Sequence, residues 1–208
     1  MDDLAASASE YVPSEAALSS ETGGTGLTHI VARSPALPLL ELDDRHFEIL
    51  AYLILREKAG SSTFYDAVSL LRTGADKGRD VLLRRSVVTG VVQCKRKADK
   101  VGRESLMTEI LRFALYAVRE PQLIPAAGTR YEIWTASGLT ERARALVESP
   151  DTRSLMRAEL PTFVDRARAN IVSLQPHRDA ALNDAELAYA IDIAAGLVLQ
   201  HVGPEAIK

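Results

Sequence analysis

Two stretches decide the fold of this chain: GADKGRDV at residues 74–81 and VVQCKR at residues 91–96. The first is a glycine-rich turn that runs into an apolar segment after Asp80, and the second is typical of a strand. Because alternate side chains of a strand project to the same face, Gln93 and Lys95 are predicted to lie side by side. The sequence thus predicts that a carboxylate, an amide oxygen and an ammonium group converge at one edge of a sheet.

Around these stretches, changes in apolar spacing predict an alternation of helices and strands. The pattern predicts, in chain order, a helix from 43 or 44 to 60, a meander of strands at 67–71, 81–83 and 87–92, a helix at 103–119, a strand at 131–136, and helices at 140–147 and 183–201. This order favours an α/β layered core over a helical bundle.

The composition indicates a soluble, cytoplasmic protein. The chain has 208 residues, of which 47% are hydrophobic and 25% charged, as in ordinary globular domains. Its single cysteine, Cys94, excludes an internal disulfide and favours a reducing compartment. No apolar run approaches the roughly 20 residues that a membrane helix needs. The acidic start lacks the features of a secretory signal, so we expect no contact with a membrane.

The chain divides into three parts by composition. Residues 1–40 are small, polar and glycine-containing, with too few large apolar groups to offset the entropy of ordering, and they predict a flexible leader. Within it, residues 37–42 are apolar enough to pack against the domain. A core is predicted at 41–150 and a helical C-terminal extension at 151–208.

The predicted trio of polar groups suits the hydrolysis of phosphodiesters. Asp80 and Gln93 can offer oxygen ligands to a hard cation such as Mg²⁺, and the backbone carbonyl of Cys94 is a further candidate ligand. Lys95 would orient or activate the attacking water and offset charge on the pentacovalent phosphate. Cys94 itself lies in the apolar phase of its strand and is predicted to be a buried packing residue rather than a nucleophile.

The spacing Asp80…Gln93-Cys94-Lys95 resembles the PD-(D/E)XK nuclease superfamily, and specifically its Mrr-like branch, in which glutamine replaces the second acid. The segment FEIL at residues 47–50 resembles the first-helix motif of that branch, and residues 74–80 resemble its glycine-rich loop. The resemblance covers roughly residues 43–150. It departs from the family at Lys77 and Arg79, where glycine and an apolar residue are common.

The resemblance implies a restriction-endonuclease-like three-layer core, with a central mixed sheet flanked by helices. It implies an endonuclease that cleaves DNA with Mg²⁺ or Mn²⁺, in which Asp80, Gln93 and Glu48 hold the metal and Lys95 supports the nucleophile. Such domains often act as the cutting module of restriction or anti-phage systems, with a sensor or ATPase as partner or attached domain.

The segment from residue 77 to residue 103 is strongly basic, with nine Lys or Arg residues against two Asp. This is the electrostatic signature of a surface that binds a polyanion. Four of the bases are predicted to contact DNA phosphates: Lys77, Arg79, Arg96 and Lys97.

Two alternatives stay open at this point. The chain could be a catalytically inactive nuclease fold that binds nucleic acid or a protein partner, or an assembly protein whose C-terminal helix forms a homo-oligomer. Metal-dependent nicking of DNA would separate the first from an enzyme. A chain cut before Asn183 that stays folded but no longer self-associates would support the second.

Overall fold

A computed structural model describes residues 11–12, 14–21, 38–72, 77–124, 128–169 and 183–207 of the chain. Its α-helices, in chain order, are α1 (Glu15–Glu21), α2 (Asp44–Ala59), α3 (Arg103–Arg119), α4 (Glu141–Glu148), α5 (Thr152–Glu159), α6 (Val164–Ala169) and α7 (Asp184–Gly196). Its strands are β1 (Ala67–Leu70), β2 (Val81–Arg85), β3 (Val87–Lys95), β4 (Arg130–Thr135) and β5 (Val198–Val202). Short 3-10 turns occupy Pro121–Leu123, Leu160–Phe163 and Pro204–Ala206.

The strands form one mixed sheet in the order β1-β2-β3-β4-β5. The first three strands are an antiparallel meander, as the sequence predicts. β4 and β5 then run parallel to β3, and α3 connects β3 to β4. Because β2 begins directly after Asp80 and pairs with the end of β3, the turn before β2 lies next to the last residues of β3.

Two hydrophobic clusters cover the two faces of the sheet. On one face, α3 and α7 pack over a cluster that includes Val91 and Ile133. On the other face, α2 packs over a cluster that includes Val92, Cys94 and Trp134. The two sets alternate along the strands, which is the period that a sheet buried on both faces requires. The predicted three-layer α/β architecture is confirmed.

Helix α2 begins where the sequence predicts. The side chain of Asp43 caps it by accepting a hydrogen bond of 2.7 Å from the backbone N–H of His46, and this bond lowers the pKa of Asp43. Phe47 and Ile49 are completely buried. The helix is therefore fixed against the sheet at the two residues that flank Glu48.

The prediction of a helix over residues 183–201 is wrong after Gly196. Helix α7 ends there, and residues 198–202 form β5, which pairs in parallel with β4. Pairing with the sheet satisfies backbone N–H and C=O groups of this segment, and that gain outweighs its local helical spacing. The extension predicted to be helical thus also completes the central sheet.

Part of the predicted leader is folded onto the core. Residues 15–21 form α1, and Leu18 is buried in the cluster beneath α2. Tyr11 pairs with Leu71 beyond the end of β1. The rest of the predicted leader, and residues 73–76 of the glycine-rich turn, lie outside the described residues. In the part of the chain that the structure covers, every helix is too short or too polar to cross a membrane.

Candidate active site

The turn before β2 holds Asp80 against β3. Lys77 and Gly78 have positive φ angles of 45° and 81°, and a Cβ on Gly78 would lie only 3.1 Å from Cβ of Phe113. The hydroxyl of Tyr131 donates a hydrogen bond of 3.0 Å to the Gly78 carbonyl. The backbone N–H of Asp80 then donates to the Val92 carbonyl at 2.7 Å, so the carboxylate lies beside the last residues of β3.

Asp80 and Gln93 are in direct contact in the interior. Oδ2 of Asp80 accepts hydrogen bonds from Nε2 of Gln93 at 2.7 Å and from the backbone N–H of Cys94 at 2.6 Å. Only 4% of Asp80 and 3% of Gln93 is exposed. Both donors stabilise an ionised carboxylate that burial alone would disfavour.

The oxygen of the Gln93 amide has no partner within the described part of the chain. This atom, Oε1, is buried and accepts no hydrogen bond from any residue that the structure describes. An unpaired buried acceptor costs about 1–3 kcal/mol, which a bound cation would offset. An amide oxygen and a carboxylate are the kind of ligands that Mg²⁺ and Mn²⁺ take. The residues present therefore fit the metal that the sequence predicts.

A cation at this site would be held by oxygen atoms of several kinds, from carboxylates, an amide and the backbone. No group of three or more His, Cys, Asp or Glu side chains is arranged to hold a metal in the described ranges. The Cys94 carbonyl, the backbone ligand predicted from the sequence, already accepts a hydrogen bond of 3.3 Å from Nε2 of Gln93. Asp80, Gln93 and Glu48 are the side chains that could supply the remaining oxygens.

Lys95 lies on the same face of β3 as Gln93 and points to helix α3. Its Nζ is 3.0 Å from Oε1 of Glu109, and each side chain is less than one-fifth exposed. Oε2 of Glu109 is in turn 3.3 Å from Nη2 of Arg112. Glu109 thus holds the ammonium group from one side. This carboxylate is absent from the set predicted by sequence, because nothing local relates residue 109 to residue 95.

Glu48 lies on α2, and its carboxylate is held by Arg45. Nη1 of Arg45 donates hydrogen bonds to Oε2 of Glu48 at 2.7 Å and to the Leu71 carbonyl at 2.8 Å. The Leu71 N–H donates to the Asp80 carbonyl at 2.9 Å. Arg45 is a second residue that the sequence reasoning missed, although its spacing of three residues from Glu48 on a helix was a visible signal.

The thiol of Cys94 is buried, and these charged side chains act on it electrostatically. Burial raises the pKa of Cys94 well above its usual value, and the carboxylates of Asp80 and Glu48 raise the pKa further, whereas Lys95 and Arg45 lower it. These four charged side chains therefore lie within electrostatic range of a single sulfur atom. The thiol stays protonated at neutral pH, which agrees with its predicted packing role.

The four predicted phosphate contacts have different environments. Arg79 is completely buried, and its contact with a phosphate stays a prediction. Nζ of Lys77 is 2.6 Å from Oε2 of Glu120, which offsets its charge. Arg96 is partly exposed and donates to the Leu40 carbonyl, and Lys97 is exposed.

The basic run does not form a single surface around Asp80. Arg84 and Arg85 lie at the far end of β2, about 10 Å and about 13 Å along the strand from its start at the rise of an extended chain. Arg84 stacks over the ring of Tyr11. The bases near the end of β3 include Arg96 and Lys97, and their part in binding a polyanion stays a prediction.

A groove of about 870 Å³ opens next to Glu109. It lies between the first turns of α3 and α4 and is lined by bases and acids together: Lys97, Arg103, Glu104, Glu109, Glu141, Arg142 and Arg166. Lys97 connects this groove to the end of β3. The candidate site therefore lies beside an open groove on the α3 side of the sheet, with charged side chains in its lining.

Comparison with known proteins identifies the family. Residues 39–160, more than half of the chain, match the model of a restriction endonuclease family, that of the Mrr-type catalytic domain. No curated protein and no solved structure matches the chain. The matched region contains the glycine-rich turn, the strand with Gln93 and Lys95, and helix α3. The chain belongs to the Mrr-type restriction endonuclease family of the PD-(D/E)XK nucleases.

Proposed function

We propose that this nuclease domain is a metal-dependent endonuclease that hydrolyses phosphodiester bonds of DNA. The observation that supports this most is the buried pair of Asp80 and Gln93, in which a carboxylate touches an amide whose oxygen has no partner among the residues that the structure describes. Family membership supports the nuclease class. The metal, the DNA substrate and the roles of individual residues are our proposal.

The protein's own contribution is to bind, orient and neutralise charge. Asp80, Gln93 and Glu48 would hold Mg²⁺ or Mn²⁺, which would polarise the phosphate and lower the pKa of a bound water. Lys95 presents an ammonium group that offsets the charge developing on the phosphate. Glu109 keeps this group in one place before the substrate arrives, which lowers the cost of reorganisation.

Burial makes these interactions stronger than they would be at an open surface. Asp80 and Gln93 are almost entirely excluded from water. Charges interact more strongly where water is excluded, so a phosphate placed beside Lys95 gains more there than beside an exposed lysine. Arg96 and Lys97 follow directly after Lys95 and are proposed to hold the flanking phosphates. Lys77 joins them when its ion pair with Glu120 opens.

The biological setting is also a proposal. A restriction-type nuclease domain with no phosphate-binding ATPase loop in its sequence fits the cutting module of a restriction or anti-phage system, controlled by a sensor or ATPase partner or domain. We propose that it acts in the cytoplasm, where its DNA substrate and a reduced Cys94 would both be found.

Nicking of supercoiled plasmid DNA tests the proposal. We expect cleavage with Mg²⁺ or Mn²⁺ and none with a chelator. Asp80→Ala and Lys95→Ala should each lower the rate by about 100-fold or more, since each removes a charge that acts on the transition state. Lys58→Ala, which removes an exposed lysine from α2, is the matched control and should cleave normally.

If the folded protein binds DNA but does not nick it with any metal ion, the proposed enzyme activity is contradicted. The inactive DNA-binding alternative would then hold. Cleavage by Asp80→Ala at the normal rate would contradict the assignment of this site, even if the wild-type protein is active.

A further inference from the structure

The guanidinium group of Arg45 lies between the carboxylates of two helices. Its Nε and Nη2 are each 2.5 Å from Oε2 of Glu21 on α1, and its Nη1 is 2.7 Å from Oε2 of Glu48 on α2. The side chain of Arg45 is 17% exposed, that of Glu21 31% and that of Glu48 21%. Two acids thus share one base in a partly buried position.

We propose that Glu21 and Arg45 form a relay that positions Glu48 and keeps its carboxylate available to the cation. The inference rests on the metal site of the proposed function. Glu21 lies outside the region that matches the family, residues 39–160. The N-terminal helix is therefore a working part of this chain's active site, which the family resemblance does not supply.

The argument for availability is one of charge. The positive charge of Arg45 is shared between Glu21 and Glu48, so it does not neutralise Glu48 completely. If Glu21 lost its charge, the full attraction of the guanidinium would fall on Glu48. A cation near Glu48 would then compete with Arg45 for the same carboxylate, and its affinity would decrease.

The argument for positioning is one of connectivity. Arg45 also donates to the Leu71 carbonyl, and the Leu71 N–H donates to the Asp80 carbonyl. One side chain therefore joins the helix that carries Glu48 to the backbone that carries Asp80. A change in the position of Arg45 alters the relation between the two carboxylates proposed to hold the metal.

Helix α1 is held in place by contacts that do not involve Glu21. Leu18 is buried in the cluster beneath α2, and the Val12 N–H donates to the Leu70 carbonyl at 3.1 Å. Replacing Glu21 by the isosteric Gln should therefore leave α1 docked. The substitution removes the charge from the relay without removing the helix.

Calorimetric titration of the whole chain with Mn²⁺ tests the relay without relying on cleavage. Glu21→Gln should weaken Mn²⁺ binding by about fivefold or more, the usual size of a coupling between sites. Asp192→Asn is the control, because it also removes an acid from an ion pair with an arginine, here the exposed pair with Arg157 on other helices. It should leave the affinity unchanged.

A double-mutant cycle separates the relay from a long-range effect of charge. In an Arg45→Gln background, Glu21→Gln should change the affinity by less than about twofold, because the connecting residue is gone. Arg45→Lys, which cannot bridge both carboxylates, replaces this background if circular dichroism shows that Arg45→Gln is unfolded. An equal loss in both backgrounds would overturn the relay.

The outcome also distinguishes the relay from the metal site on which it rests. If Asp80→Ala abolishes Mn²⁺ binding and Glu21→Gln does not weaken it, the relay is overturned and the metal site stands. If the wild-type chain binds no Mn²⁺, both are overturned.

Discussion

At the scale of single residues, the contact between Asp80 and Gln93 meets a requirement of burial. A buried carboxylate needs donors, and it has them in the Gln93 amide and the Cys94 N–H. The alternation along β3 that the sequence predicts is confirmed, since Val92 and Cys94 pack under α2. The alternation along a strand could not predict the ion-pair partner of Lys95, because Glu109 lies on a different element, helix α3.

Glu109 provides a prediction at this scale. Glu109→Gln keeps the shape of the side chain but removes the charge that holds Lys95, so we expect the turnover number on plasmid DNA to fall about tenfold or more. The KM should change little, because Glu109 is proposed to touch no DNA. Steady-state kinetics measure both parameters.

Glu57→Gln, on the exposed side of α2, is the control for this substitution and should be silent. Turnover by Glu109→Gln at the wild-type rate would show that the position of Lys95 does not depend on Glu109.

At the scale of elements, the turn before β2 has the tightest geometry around the site. Lys77 adopts a left-handed conformation that favours glycine, and its ion pair with Glu120 partly compensates for that cost. Gly78 is constrained both by its positive φ and by the approach of α3 at Phe113. The glycine-rich character of this turn is visible in the sequence. Its packing against α3 is not, although the helix itself is predicted.

Gly78→Ala should therefore destabilise the protein. A side chain there adopts a disfavoured φ and meets the backbone of α3, so we expect the free energy of unfolding to fall by about 1–3 kcal/mol. Urea denaturation measures this change. Gly60→Ala is the control, because Gly60 has a negative φ and open space around its Cβ position. Equal effects of the two substitutions would contradict the close approach of Gly78 to α3.

At the scale of the whole molecule, the C-terminal segment belongs to the core. Helix α7 packs on α3, and β5 pairs with β4 along its length. Ala190, Ala194 and Leu199 are buried there. A chain cut before Asn183 would lose these contacts, so we expect it to unfold rather than remain a folded core that merely fails to self-associate.

Two neighbouring residues of β5 test this placement. Leu199→Ala should lower the free energy of unfolding by about 2–4 kcal/mol, because it leaves a cavity under a buried side chain. Val198, which is 48% exposed, is the control on the opposite face, and Val198→Ala should cost less than about 1 kcal/mol. Chemical denaturation measures the free energy of unfolding of both variants. Similar losses in the two would mean that β5 is not buried as described.

Local patterns in the sequence were enough to predict the order of helices and strands from α2 to α4, the face shared by Gln93 and Lys95, and the apolar phase of Cys94, but not helix α1. These features follow from the periods of helix and strand, which each segment carries within itself. Tertiary structure alone decided that Arg79 is buried, that Arg84 lies far from Asp80, that Glu109 holds Lys95, and that residues 198–202 join the sheet. Those outcomes depend on which distant segments pack together, and packing between elements leaves no period in the sequence of either one.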